Sequence, residues 1–507
     1  MSKTRVGSSI LPLATNSYKV FSFFYNKAKS SQKLSRKTKI INMNKLKSLN
    51  TKHFLLCFYS LIVLNYLSNI FKNSIFESLL DTNYFDMFST ILLFIFLYLV
   101  SKEISSNFKL PYISTGFVTY MFSFFLVDIL TLFVFTGLTF SLLFIFVNAG
   151  WILLLIYKKA NIKSFLFIIS AFTFTNIYNN FFINSLSKNS NIFGDVKDIH
   201  FEHVKNIYTN SYFQSISNSS WEGYPQMAAY FHATLHQISI STIEFNYLPS
   251  STNVLWLLSV LFIYESDLSR ISKYVFFLSF SSLIFNSEWL KFLFIDSLMT
   301  EGVLSYLFCV ALLSIIKSLK IKESNLYIPF ILMGLLYFCK QFVSILSLFV
   351  TFYFLIRKKN RKFAILGFVG FLLKELSYLT YFKNVTKNFH YKELDLKDTF
   401  FDLILLRDLK LENFFIILKN LSKDIPLTLV LIYWLLLTIM FFYKRDIFEK
   451  DVVLFTFLIS INFILIFILY ISIWRNAELE SPIRYILILL HLIFYSQFII
   501  IDKMSES

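Results

Sequence analysis

Residues 101–163 read "SKEISSNFKLPYISTGFVTYMFSFFLVDILTLFVFTGLTFSLLFIFVNAGWILLLIYKKANIK". Two apolar runs, 112–132 and 135–157, stand in tandem, and Asp128 is the one charged residue between Pro111 and Tyr157. Each run has the length needed to cross a hydrocarbon layer, about 17–25 residues of helix. Lys102 and Lys109 precede the pair, and Lys158, Lys159 and Lys163 follow it. A helical hairpin in a membrane, with basic loops on one side and a short apolar turn on the other, explains that order.

The pattern repeats along the chain. Of its 507 residues 56% are hydrophobic, and the mean hydropathy is +0.61, so lipid rather than a water-excluding core must cover most of the apolar surface. Apolar runs are expected as helices at 54–71, 84–101, 112–132, 135–157, 164–184, 248–264, 273–290, 298–316, 325–339, 341–356, 363–382, 426–443, 452–474 and 484–501. The expected fold class is therefore all-α, a polytopic transmembrane bundle of about 12–14 spans. The pair flanking Lys340 and the run 273–290 are the weakest candidates, open to being re-entrant or merged with a neighbour.

Basic residues sort onto alternate loops: "SKEISSNFKLP", "YKKANIK", "ESDLSRISK", "KSLKIKESN", "IRKKNRK" and "YKRDIFEKD". By the positive-inside rule these are cytoplasmic and both termini are inside. The segments 72–83, 185–247, 291–297, 383–425 and 475–483, acidic or mixed, then face out. Residues 1–53 hold twelve Lys and Arg and no Asp or Glu, a composition shared by cytoplasmic tails and organellar transit peptides, with Met43 as a possible later start. The organisation expected is a flexible basic tail at 1–53, membrane helices at 54–163, a catalytic membrane region at 164–501 with outer loops 185–247 and 383–425, and a cytoplasmic tail at 502–507. Residues 391–425 alternate charged and apolar positions at helical spacing, as an interfacial amphipathic helix does.

Several functions lose support. The net charge of +17 sits in the tail and the short loops, as membrane orientation requires, so nucleic acid is not an expected partner. Cys57, Cys309 and Cys339 fall in apolar stretches without metal or redox spacing. No P-loop, dinucleotide fingerprint, HExxH or GxSxG pattern occurs. The 64 Phe go with many Ile, Asn and Lys, as in an AT-rich coding sequence, and are given no functional weight. Asp128 fits either an ion path or a place near the outer end of its helix, the second being preferred.

The chemistry concentrates in loop 185–247. "GDVKDIHFEHVKNIY" (194–208) crowds Asp195, Asp198, His200, Glu202, His203 and Lys205 together, and "WEGYPQMAAYFHATLHQI" (221–238) follows. Helical spacing puts Asp195, Asp198, Glu202 and Lys205 along one face, which by itself describes a solvated helix equally well. His200 with His203, and His232 with His236, have spacings that can present two metal ligands, although ordinary hydrogen-bonded histidine is the preferred reading and no cofactor is expected.

Together, Asp195, His200 and Lys205 followed by Trp221, Gly223, Tyr224 and Pro225 resemble the first extracytoplasmic loop of the C-type (GT-C) integral-membrane glycosyltransferases. These include polyprenyl-phosphate-dependent mannosyltransferases and aminoarabinose transferases. The chain departs from that pattern with Ile199 and Glu202 at the family's Tyr and Pro, and with four helices ahead of the loop. Further on, Asp296, Lys340 and the Arg484–Tyr485 pair resemble later motifs of the family.

The resemblance implies transfer of a sugar from a polyprenyl-phosphate donor to a lipid, glycan or protein acceptor at the outer face. Asp195, or Asp198 in its place, would be the general base, and His200, Glu202, Lys205, Trp221, Tyr224 and Asp296 would contact substrate. Cationic Lys340, Arg475 and Arg484, with Tyr485, would hold the departing phosphate, since charge grows there in the transition state. A lipid-linked glycan polymerase or ligase would place its essential groups in 383–425 instead. A flippase or transporter would show charged or broken helices near the bilayer midplane.

Overall fold

The computed structural model describes residues 82–134, 139–158, 162–179, 202–209, 227–239, 249–286, 300–321, 323–339, 341–357, 360–381, 450–472 and 483–506, with single positions between 415 and 438. All belong to the compact unit 81–507. Among them there is no strand.

The helices are α1 Thr82–Phe108, α2 Ile113–Val134, α3 Phe140–Tyr157 and α4 Ile162–Tyr178. Short α5 Glu202–Thr209 and α6 Met227–Ser239 follow, then α7 Pro249–Glu265, α8 Arg270–Asn286 and α9 Thr300–Lys320. The chain continues through α10 Tyr327–Leu335, α11 Gln341–Ile356, α12 Arg361–Tyr381, α13 Lys450–Ser472, α14 Ile483–Leu487 and α15 Leu490–Glu506.

Four segments are long and apolar enough to cross a membrane: Phe88–Phe108, Ile113–Leu130, Phe140–Tyr157 and Glu301–Lys320. Their burial differs with their place. The last is almost wholly enclosed by protein, whereas α3 turns Leu142, Ile145, Phe146, Leu153 and Ile156 outward, as a lipid-facing helix does.

Contacts gather all six basic loops at one end of the bundle. Lys109 pairs with Glu323 at 3.8 Å, and its carbonyl accepts the Asn325 amide at 3.1 Å. Lys158 lies over the Phe108 ring. Lys317 pairs with Asp267, Lys320 with Asp451 at 2.8 Å, and the Tyr353 hydroxyl donates to the Lys450 carbonyl. Two carboxylates cap helices that are distant in sequence. Glu265 accepts from the amides of Ile113 (2.6 Å) and Ser114 (2.9 Å) and from the Ser114 hydroxyl at the start of α2. Asp502 accepts from the Ser269 amide and from the Ser269 and Ser272 hydroxyls at the start of α8. Each satisfies amides that the first turn of a helix leaves without an internal partner, and each opposes the positive helix end with a negative charge. Burial pushes the Glu265 carboxyl up from its ordinary value, while the bonds from Ser114 and Ile113 pull it down.

Some boundaries differ from expectation. α1 runs to Phe108 and absorbs most of the expected loop after residue 101. α15 runs to Glu506, so Asp502 belongs to a helix rather than a tail. The pair around Lys340 forms a short hairpin: α10 and the 3-10 turn Leu336–Phe338 make 12 residues, then Cys339 is extended and α11 returns. Twelve helical residues reach about 18 Å, against a hydrocarbon thickness of about 30 Å. The hairpin tip therefore falls within the depth that α9 spans. Glycines let it pack: a Cβ at Gly334 of α10 would stand 2.8 Å from the Gly367 carbonyl oxygen of α12, so the two backbones touch.

Candidate functional site

Loop 185–247 is partly inside the bundle. On α5, Val204 and Ile207, three residues apart, are buried while Lys205 is exposed, so the helix lays an apolar stripe against its neighbours and turns its lysine out. Glu202 and His203 occupy its first turn. α5 packs along α6, and α6 in turn contacts α2, α3, α4, α7 and α9. Between Met227 and Ile238 every side chain except Gln237 is buried. A helix apolar nearly all round belongs inside a protein, and the segment following "WEGYPQ" is such a helix. α6 is thus enclosed by the bundle, while α5 buries Val204 and Ile207 and keeps Lys205 on an exposed face.

His232 and His236 are each 2% exposed on α6. Among the described residues no three His, Cys, Asp or Glu are grouped as metal ligands. Asp128 on α2 is 3% exposed and acts electrostatically on Tyr230 of α6, whose ring sits 5.3 Å from Phe125 and 5.4 Å from Phe140. α2 continues beyond Asp128 to Val134, while its segment long and apolar enough to cross a membrane ends at Leu130, so Asp128 stands near the end of that segment and inside a continuous helix.

At the end of the bundle away from the basic loops, α9 begins and α14 lies against it. There the Arg484 guanidinium donates through Nε to Glu301 Oε1 at 3.2 Å, with side chains 11% and 1% exposed. Tyr485 packs on Phe342 at the start of α11, ring centroids 4.7 Å apart, and its carbonyl accepts from Asn462 Nδ2 of α13 at 3.3 Å. The Arg–Tyr pair thus marks where α9, α11, α13 and α14 converge. α9 also contacts α6, so it is a common neighbour of the inserted loop and the Arg484 segment.

One turn along α9 from Glu301, Ser305 Oγ lies 2.8 Å from Nδ1 of His491, whose Nε2 lies 2.9 Å from Ser259 Oγ of α7. At the hairpin tip, the Lys374 ammonium of α12 donates to Ser344 Oγ at 3.4 Å, and Ser344 donates to the carbonyls of Tyr337 and Cys339. A cation near the carbonyls that end a broken helix is electrostatically well placed.

Of the residues singled out from sequence, Arg484 and Tyr485 occupy this convergence, and Glu202, His203 and Lys205 lie on α5. Asp195, Asp198, His200, Trp221, Tyr224, Asp296, Lys340 and Arg475 lie outside the described residues. Glu301, Ser305, His491 and Lys374 were not singled out. Two of them, His491 and Lys374, carried a signal, an ionisable residue inside an apolar run, as in "LLHLIF" and "FLLKEL".

No family model, curated protein or solved structure matches the chain.

Proposed function

We propose that the chain is a multi-pass membrane glycosyltransferase that moves a sugar from a polyprenyl-phosphate donor to an envelope acceptor, with the basic end of the bundle in the cytosol. The acceptor hydroxyl attacks the anomeric carbon, its proton passes to Asp195 or Asp198, and the sugar–phosphate bond breaks with its electron pair leaving on the polyprenyl phosphate. A single displacement inverts the anomeric centre. Arg484 would offset the charge that develops on the leaving phosphate.

The observation that supports this reading most is the shared neighbour. Helices α5 and α6 of loop 185–247 are bedded in the bundle, and α6 meets α9, whose first turn holds Glu301 against Arg484. Asp195 is seven residues ahead of α5 in the sequence.

The test is release of decaprenyl phosphate from decaprenyl-phosphate-linked mannose, glucose, arabinose and aminoarabinose by the purified full chain with membrane-lipid acceptors. Release is expected with at least one donor, falling by about 10²–10⁴-fold, the usual worth of a general base, in Asp195→Asn or Asp198→Asn. No release from any donor, or release indifferent to both substitutions, overturns the proposal. Loss confined to substitutions within 383–425 would favour the polymerase or ligase alternative.

A second reading, a lipid-phosphate flippase or transporter, draws on the short hairpin α10–α11 and on Lys374 and Asp128 within the apolar depth. It requires a fluorescent polyprenyl phosphate to change leaflets in proteoliposomes without bond cleavage.

A further inference from the structure

We propose that the exposed side of the α7–α8 corner binds one anionic phospholipid of the surrounding membrane, its phosphate held by Arg270 and Lys273 and an acyl chain lying along α8. Such a site is independent of sugar transfer and needs only that the bundle lie in a membrane.

α8 has two faces. Ser272, Phe276, Phe280 and Leu283 are buried, and the Phe276 ring stacks on Phe494 and Phe498 of α15 with centroids 5.5 and 5.4 Å apart. On the other side Ile271, Tyr274, Val275 and Leu278, at helical spacing, are all exposed. An apolar stripe of this kind on a membrane helix lies against acyl chains. It begins at the basic end of the bundle, where Arg270 and Tyr264 are exposed beside it.

The charge at that corner is unmatched. Lys109, Lys317 and Lys320 of the same end each pair with an acid, whereas Arg270 and Lys273 form no ion pair among the described residues. The acids nearest in sequence are engaged elsewhere: Glu265 with the start of α2, Asp267 with Lys317, and Asp502 with Ser269 and Ser272. Lys273 Nζ donates to the Tyr264 carbonyl at 2.9 Å and stands over the Tyr264 ring, which fixes the ammonium between α7 and α8 and leaves two of its three N–H donors. The Arg270 guanidinium lies over the Tyr274 ring with its planar fork of donors unspent, the geometry suited to two phosphate oxygens. On α1, along which α7 packs, Lys102 lies over Tyr98, which is within electrostatic reach of Tyr264. Cations from neighbouring helices, amphipathic rings and an apolar stripe running away from them match, in that order, the phosphate, the glycerol region and the chain of one lipid.

Native mass spectrometry of the full chain, released from detergent micelles doped with dioleoylphosphatidylglycerol or dioleoylphosphatidylcholine, reads the occupancy of the first bound lipid. Wild type is expected to prefer phosphatidylglycerol. Arg270→Gln/Lys273→Gln should weaken its binding by about thirtyfold, the effect of two cations at a membrane surface, with phosphatidylcholine unchanged. Arg270→Gln alone, which keeps the Lys273 bond to the Tyr264 carbonyl, should weaken it by about fivefold, so the test survives if the double variant does not fold. The exchange Arg270→Lys/Lys273→Arg should retain most of the affinity. Lys158→Gln/Lys362→Gln removes the same charge from elsewhere on the same end and should leave the first lipid bound. Wild type without preference for phosphatidylglycerol, affinity unchanged in the Arg270 and Lys273 variants, or an equal loss in Lys158→Gln/Lys362→Gln, which is a diffuse surface potential, overturns the site. Displacement of the lipid by water-soluble glycerophosphate would make it a site for free phosphate and overturn the lipid assignment.

Discussion

His491 shows how a single buried side chain fixes its own chemistry. Ser259 Oγ donates its one proton to the Leu255 carbonyl at 2.8 Å, so toward His491 it can only accept, which assigns the ring proton to Nε2. Nδ1 is then an acceptor, filled by the Ser305 hydroxyl, whose oxygen accepts the His491 amide. Every polar atom in the group is used, and the neutral ring ties α7, α9 and α15 together in a setting where water cannot replace a lost bond. The Glu301–Arg484 pair is similar in placement but different in energy, since both groups carry a charge and are enclosed. Removing one partner leaves an enclosed charge, so Arg484→Met should destabilise by about 3–5 kcal/mol, whereas Glu301→Met/Arg484→Met should stand within about 1 kcal/mol of wild type. Cys309 and Cys339 are buried thiols, and in a Cys57→Ser background their reaction with a maleimide dye during a thermal ramp reports unfolding. A double variant as unstable as Arg484→Met would show that the pair is valuable for more than mutual neutralisation.

Between helices, α10 and α12 come into backbone contact through Gly334, Gly367 and Gly370. Lipid gives no hydrophobic gain for helix association, so contact must come from dispersion across closely matched surfaces, and glycine permits it by removing the Cβ. At Gly370 a Cβ would press into the Gly334 backbone, which cannot rotate away as a side chain could. Gly370→Ala is therefore expected to cost about 1–3 kcal/mol by overpacking, read as an earlier thiol-exposure midpoint, while Gly150→Ala, where a Cβ meets nothing within 4 Å, should not lower it. Equal effects at the two positions would refute the packing argument. This scale also marks what was readable in the sequence. The runs that became α2, α7, α11 and α13 announced themselves, because length and apolarity are local properties. Glu265 as cap of α2 did not, since its partners Ile113 and Ser114 are some 150 residues away and no local pattern encodes that pairing. Lys374 and Asp128 were visible as charges, but only the neighbouring helices decide whether such a charge is buried with a partner or marks a boundary. Arg484 was singled out in the sequence and its partner Glu301 was not, because the two stand 183 positions apart.

For the molecule as a whole, sidedness is one variable rather than many. Six basic loops meet through Lys109–Glu323, Lys158 over Phe108, Lys317–Asp267, Lys320–Asp451 and the link from Tyr353 to Lys450, so they must all face the same compartment. In the proposed orientation that compartment is the cytosol, because basic segments close to membrane helices resist translocation. Single cysteines placed at residues 159 and 359, in a chain lacking its native ones, should therefore both be shielded from a membrane-impermeant maleimide in intact cells and both react after permeabilisation. A cysteine at 215, within loop 185–247, should react without permeabilisation. Labelling of 159 and 359 from outside, with 215 protected, would invert the protein and put Asp195 in the cytosol, where a sugar donor presented at the outer face is out of reach. A split result, with 159 and 359 on opposite sides, would contradict the bundle itself, because Lys158 at the end of α3 and Tyr353 in the last turn of α11 are joined to the same end by contacts that cannot span a bilayer.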